Sequence, residues 1–345
     1  MNDRTFTVIA GVNGYGPKGT TAPPLLQFRW QLDPSTDVGL ALVAATRRLK
    51  GAGVDTPKLD SEVLLAYVLG CTRTQLYTHP ERLLSQPERE RFEQMVERRF
   101  LREPVAYLVG EKAFYGLDLI VDPRVLIPRP ETELLVDLVL DLVAQADRIH
   151  EKARGGNGNG NGNRNGNGNG PDNASVAPIL VADIGTGSGA VGLAIAANSA
   201  STQIYAVDIL PAALDVARAN AARYHLSDRV RFLQGDLLAP LPEPMDVIVA
   251  NLPYVALDEW PSLAPDIVQF EPSLALTGGA DGLAVIRRLL EQAPAMLRPQ
   301  GVVLLEIGAS QGTAVAALAG RHFPGAFVEV VSDYGYHDRI VRVQT

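Results

Sequence analysis

Residues 179–189 read Ile179-Leu180-Val181-Ala182-Asp183-Ile184-Gly185-Thr186-Gly187-Ser188-Gly189, a short apolar run that ends in three alternating glycines. Apolar runs of similar length recur at 203–207, 230–234, 247–250, 302–306 and 327–331. Segments of helical period stand between them at 211–224, 283–296 and 311–321. Strand alternating with helix is the pattern of an α/β fold with a doubly wound, mostly parallel sheet. Residues 340–343 supply one more strand, expected to run antiparallel at the sheet edge or one position in, so that the sheet is mixed.

Upstream the pattern differs. Residues 1–34 are rich in Gly, Pro and Thr without a sustained period, and are expected to be a loosely ordered tail. Over residues 35–104 apolar side chains return at helical spacing, as Val38, Leu42, Ala45 and Leu49, then Leu59, Val63 and Leu64, then Phe92, Val96 and Phe100. Asp37, Thr56-Pro57 and Gln86-Pro87 are plausible helix starts, and Gly51, Gly53 and Gly70 plausible stops. A small all-helical domain follows from this. Residues 105–130 begin with aromatic and β-branched residues broken by Gly110 and Gly116, which predicts a β-hairpin over 105–121 acting as a linker. It runs into Leu126-Ile127-Pro128-Arg129-Pro130-Glu131-Thr132-Glu133, where each proline holds its predecessor extended. Glu131 and Glu133 then suit the first turn of a helix ending near residue 150. A stiff connector with N-terminal acids explains this run equally well. Residues 131–345 form the last domain, interrupted at 155–170 by seven Asn and eight Gly around Arg164. That tract buries too little to offset its ordering entropy and is expected to be a flexible insertion, dispensable for chemistry.

Composition narrows the class. A chain of 345 residues with 46% apolar and 20% charged residues is long enough for two globular domains. A net charge of −8 argues against holding bare nucleic acid by bulk charge. One cysteine, Cys71, forms no internal disulfide, and the five histidines show no metal-binding spacing, so no metal is expected. No apolar run approaches the roughly 20 residues of a membrane helix, and residues 1–11 lack a secretion pattern. A cytoplasmic protein without membrane or direct nucleic-acid partners is the expectation.

In open α/β sheets ligands bind beyond the carboxyl ends of the strands, so the residue after each strand carries the information. After the first come Gly185, Thr186, Gly187, Ser188 and Gly189, which let backbone approach a ligand at a helix start; a tight turn, or a dinucleotide fingerprint completed by Ala190, fits as well. Asp208, 25 residues beyond Asp183, is placed to accept from both hydroxyls of a ribose. Asp236 can face an adenine amino group and Leu237 the ring, although helix capping also suits this aspartate. NAD and S-adenosylmethionine both carry these groups.

The fourth strand separates the two cofactors. It ends in Asn251-Leu252-Pro253-Tyr254, with no phosphate partner or hydride-transfer histidine nearby. Asn251 offers its side-chain oxygen, Pro253 holds Leu252 extended so that its carbonyl faces the same cavity, and Tyr254 can stack on a planar group. Two acceptors suit one NH2 group. An amide nitrogen is a weak nucleophile, so holding it in line with a sulfonium methyl could supply about 7–11 kcal/mol of the barrier. The acceptors also favour the positive charge that develops on nitrogen. With no general base evident, the proton is expected to leave after transfer, to water.

These residues, together with Glu103-Pro104-Val105-Ala106-Tyr107, Phe114-Tyr115-Gly116, the run from Leu126 to Glu133, Phe270-Glu271-Pro272 and Asp333-Tyr334-Gly335, resemble the HemK/PrmC family of N5-glutamine methyltransferases. The resemblance covers nearly everything from Asp37 onward apart from the Asn/Gly tract. It implies a class I (Rossmann-like) methyltransferase domain that uses S-adenosylmethionine, preceded by a helical domain that helps hold a peptide chain release factor. It also implies methylation of the glutamine in that factor's Gly-Gly-Gln loop. On this likeness Gly185 to Gly189, Asp208 and Asn251 bind the cofactor, and Asn251 to Tyr254 cradle the glutamine amide. The family's usual tetrapeptide is Asn-Pro-Pro-Tyr; Leu252 departs from it, yet the role concerns a backbone carbonyl that Pro253 still restrains. The Asn-Leu-Pro-Tyr spelling also resembles adenine-N6 methyltransferases of ribosomal RNA, disfavoured by the acidic balance and by a helical domain that precedes rather than follows. Further rivals are a ribosomal-protein glutamine methyltransferase, an NAD(P)-dependent oxidoreductase, which leaves the tetrapeptide unexplained, and a non-catalytic cofactor-binding protein.

Overall fold

The computed structural model describes residues 30–155 and 177–345. Most of the N-terminal tail and nearly all of the Asn/Gly tract lie outside the described residues. The tail's last residues are docked: the Trp30 ring meets Phe92 edge-on at 6.5 Å, and the Leu32 amide donates to Glu93 Oε1 at 2.7 Å.

Five helices come first: α1 (Val38–Gly51), α2 (Pro57–Leu69), α3 (Arg73–Thr78), α4 (Gln86–Phe100) and α5 (Val105–Val109). Asp37 caps α1 by accepting from the Leu40 amide, and Gly70 ends α2 in the left-handed conformation, φ 62°. Their shared core is Val38, Ala45, Leu49, Leu64, Leu65, Phe92 and Val96. The hairpin is shorter than expected, because residues 105–109 form a helical turn. Pro104 supplies the extended N-cap (φ −58°) and Gly110 the left-handed C-cap (φ 79°), while Tyr107 and Leu108 are buried, so end signals and packing override strand-forming composition. Strands β1 (Glu111–Phe114) and β2 (Leu117–Ile120) make the antiparallel hairpin. After a single 3-10 turn at Pro130–Thr132, α6 runs Glu133–Gly155, past the expected end near residue 150.

The second core is built on a seven-stranded sheet. In chain order its parts are β3 (Ile179–Ile184), α7 (Ala190–Asn198), β4 (Thr202–Asp208), α8 (Pro211–Arg223), β5 (Val230–Gln234), β6 (Met245–Asn251), α9 (Pro265–Phe270), α10 (Ala284–Gln292), β7 (Leu297–Glu306), α11 (Gly312–His322), β8 (Phe327–Ser332) and β9 (Asp338–Gln344). The strand order is β5-β4-β3-β6-β7-β9-β8; β9 alone runs antiparallel to its neighbours, one position in from the edge that β8 takes. Alternate residues of β3 serve opposite faces. Leu180, Ala182 and Ile184 join the core with α10 and α11, and Val181 joins that with α6 and α7. The order reverses between β3 and β6, the switch point where a crevice opens at the carboxyl ends. Among the described residues, no helix is long and apolar enough to cross a membrane.

Candidate active site

The crevice at the switch point is a cleft of about 910 Å³, counted to its open mouth. Gly185, Gly187, Asp208, Asp236, Leu237, Asn251, Leu252 and Pro253 all line it, although they come from four strand ends. Arg124, Val125, Leu126, Leu274 and Ala275 close the sides.

The glycine loop is held by what lies behind it. Asp183 is buried at 2% exposure, and its Oδ2 accepts from the Thr186 hydroxyl at 2.6 Å and the Gly192 amide at 3.0 Å. Burial pushes its carboxyl up to about 6, while these two bonds pull it down. Thr186, Ser188 and Gly189 sit behind the cleft rather than along it. Thr186 serves Asp183, the Ser188 carbonyl accepts from Asn220 Nδ2 at 2.9 Å, and Gly189 caps α7. Asn220, fully buried on α8, also exchanges hydrogen bonds with the Ile120 amide and carbonyl, at 2.7 and 3.0 Å, and so ties the hairpin to the loop. Gly185 has φ +73°, and a Cβ there would stand 3.3 Å from Leu252 Cδ2.

Asp208 ends β4 with each carboxylate oxygen already taking one backbone amide, Oδ1 from Leu210 and Oδ2 from Gly187, both at 2.9 Å. Burial raises its pKa and these amides lower it. Each oxygen keeps a second lone pair for a ligand. Asp236 is half-exposed at the mouth and paired with Arg288, while Leu237 is buried beside it.

At the end of β6 the Asn251 side-chain nitrogen donates to the Thr132 hydroxyl at 3.1 Å. With its NH2 end so engaged, the amide has its oxygen free to accept. The Leu252 carbonyl accepts no hydrogen bond among the described residues. Tyr254 does not line the cleft. Its ring lies 3.6 Å from where a Cβ on Gly308 would stand, and its carbonyl accepts from Gln311 Nε2 at 2.9 Å. Gly282, φ +73°, passes so close that a Cβ would fall 2.3 Å from that carbonyl. Burial, and then the nearby Glu306 charge, push the Tyr254 hydroxyl up to about 12.

The loop from Leu126 to Glu133 is no mere connector. Arg129 pairs with the buried Glu271, which also accepts from the Ile127 amide at 3.2 Å, so the proline-rich run is fastened onto Phe270-Glu271-Pro272. That places Thr132 against Asn251. Farther out, Asp266 of α9 is gripped from the helical part by Arg99 and Arg102, each at 2.6 Å. Thr132, Asn220, Glu271, Glu306 and Gln311 are site-building residues that sequence reading did not single out. Thr132 and Glu271 lie in the runs 126–133 and 270–272 that carry the family resemblance, which assigned them no role, and no signal marked the other three.

The PrmC N-terminal domain family matches residues 41–110, and the ribosomal protein L11 methyltransferase family matches 172–278, the part holding the cleft. The chain is 40% identical over 300 residues to a release factor glutamine methyltransferase of Moorella thermoacetica, covering 87% of this chain and 95% of the relative. It is similar also to proteins of that description from Rhodopirellula baltica, 36% identical with 85% and 90% covered, and Vibrio cholerae, 36% identical with 89% and 96% covered.

Proposed function

The chain belongs to the release factor glutamine methyltransferase family, and on that premise we propose that Asn251 and Leu252 hold the side-chain amide nitrogen, N5, of the glutamine in a release factor Gly-Gly-Gln loop for methylation. The enzyme is a protein-glutamine methyltransferase. The methyl donor is S-adenosylmethionine, which when bound supplies an electrophilic methyl on sulfonium.

The observation that carries the site assignment is the bond from Asn251 Nδ2 to Thr132, because it leaves the asparagine oxygen as acceptor at the cleft. The Leu252 carbonyl is the second acceptor, while Tyr254 stands back from the cleft against Gly308 and Gln311. Gripping both N–H bonds orients the nitrogen lone pair and stabilises the charge that forms on it. The cleft residues suit the donor. Asp208 has lone pairs for a ribose diol, and Leu237 and Leu252 offer apolar surface for a base. A dinucleotide fits less well, since both guanidinium groups on the cleft are paired already, Arg288 with Asp236 and Arg124 with Asp122. The helical residues 35–104 serve as the release-factor recognition domain, residues 105–130 as the linker and 131–345 as the catalytic domain. The work of this enzyme is cytoplasmic.

The test is transfer of labelled methyl to purified release factor, with its loop Gln→Asn variant, ribosomal protein and ribosomal RNA as competing acceptors. Label confined to the glutamine-bearing factor is expected. Preferential labelling of ribosomal protein or RNA would overturn the assignment.

A further inference from the structure

Glu306 ends β7 directly beside Asn251, its register partner at the end of β6. It is 2% exposed, and its Oε2 has no hydrogen-bond partner. An unsatisfied buried carboxylate is expensive and needs a reason. The charged and titratable groups around it are Arg339 on β9, Arg129 and Glu131 on the proline-rich loop, and Tyr254. Both cations are engaged elsewhere, Arg339 with Asp333 at 3.0 Å and Arg129 with Glu271, so neither closes an ion pair with Glu306.

The link to the tetrapeptide is Thr132, itself buried. Its hydroxyl accepts from Asn251 Nδ2 at 3.1 Å, and it stands beside the Glu306 carboxylate, whose pKa it lowers as a proton donor. A hydroxyl has one proton to give. While Glu306 is ionised that proton goes to the carboxylate, and the hydroxyl can only accept from Asn251, which turns the asparagine oxygen toward the cleft. Once Glu306 is protonated it can donate to Thr132 instead. The threonine proton is then free to turn to Asn251, whose amide gains by flipping, and an NH2 group would face the substrate's own NH2.

We propose that Thr132 and Glu306 are positioning residues that set which end of the Asn251 amide faces the glutamine, and that only ionised Glu306 sets it correctly. This rests on the acceptor role given to Asn251 above. Burial, countered by the Thr132 hydroxyl and the Arg339 charge, places the Glu306 carboxyl at about 7, so the device responds near neutrality.

The experiment is the pH dependence of kcat for methyl transfer to release factor, from pH 6 to 8, in wild type, Glu306→Gln, Thr132→Val, Thr132→Ser and Asn251→Ala. Circular dichroism reports that each variant is folded. Wild-type kcat is expected to fall about tenfold per unit below the carboxyl's pKa. Glu306→Gln and Thr132→Val should each lose roughly tenfold at pH 8 and become flat with pH, the double variant losing no more than either. Thr132→Ser, which keeps the hydroxyl, should rescue most of the rate and the wild-type profile. A flat wild-type profile, or an acid limb that persists in Glu306→Gln, overturns the proposal. Normal turnover by Asn251→Ala would instead remove the acceptor reading beneath it, whereas an inactive Asn251→Ala beside a wild-type-like Glu306→Gln defeats the relay alone.

Discussion

Two strand ends near the cleft each bury a carboxylate, Asp183 next to the last residue of β3 and Glu306 at the end of β7 beside Asn251 of β6, both at 2% exposure. Each is pushed up by burial, to about 6 and about 7 respectively. They differ in what they touch. Asp183 has a threonine hydroxyl and a backbone amide on one oxygen, both within its own strand-loop-helix segment. Glu306 leaves an oxygen without a partner, and its threonine arrives from 174 residues away in the chain, 306 less 132. The first carboxylate braces a loop through the two hydrogen bonds on Oδ2. The second is held ready to change state, and incomplete satisfaction of a buried polar group is the mark by which the two are told apart.

The contrast can be broken by experiment, and the largest effect should come from the β6 end. Asn251→Ala should lower methyl transfer about 10²–10³-fold with the fold intact by circular dichroism, the loss typical of removing one transition-state hydrogen-bonding group; near-normal turnover would end the acceptor assignment. At the β3 end the effect should fall on stability. Asp183→Ala strands the Thr186 hydroxyl and the Gly192 amide in the interior, so urea unfolding should show a loss of about 2–4 kcal/mol. An unchanged urea midpoint would show that the brace is idle.

Stability against pH comes next. Glu306 has a folded pKa raised above its ordinary 4.5, so neutralising it favours the fold. That contribution is complete below about 4.5 and is lost as pH rises through about 7. Asp183 behaves alike between its ordinary 3.8 and about 6. Glu306→Gln should therefore gain up to about 3 kcal/mol over wild type at pH 8 and little at pH 4, read from urea midpoints. A gain that is equal at both pH values would deny the shift. The smallest effect expected is that of Thr186→Val, a loss of about 1 kcal/mol in the same assay. Its counterpart Thr132→Val should show its main loss in rate, and a reversal of these two outcomes would erase the distinction between the strand ends.

The proline-rich loop illustrates how far sequence reading reached. Its extended backbone and the helix after it follow from Pro128, Pro130 and the acids, all local signals. What the loop is for does not, because Thr132 meets Asn251 across 119 residues and Arg129 meets Glu271 across 142. Residues 105–109 went the other way. Their composition favours strand, but Pro104, Gly110 and the burial of Tyr107 and Leu108 make a helical turn. Glu306 was invisible for another reason: at the end of an apolar strand, a carboxylate that will be buried reads no differently from one that will reach water.

Strand and helix periods, the turns that glycine and proline impose, and the identity of the groups at each strand's carboxyl end are written along the chain itself, since they depend on neighbours within a few residues. The amide end that Asn251 shows to the cleft, the missing partner of Glu306 and the clamp on Asp266 depend on side chains that only folding brings together. Hydrogen-bond direction and desolvation are properties of surroundings, so no single stretch of sequence could have carried them.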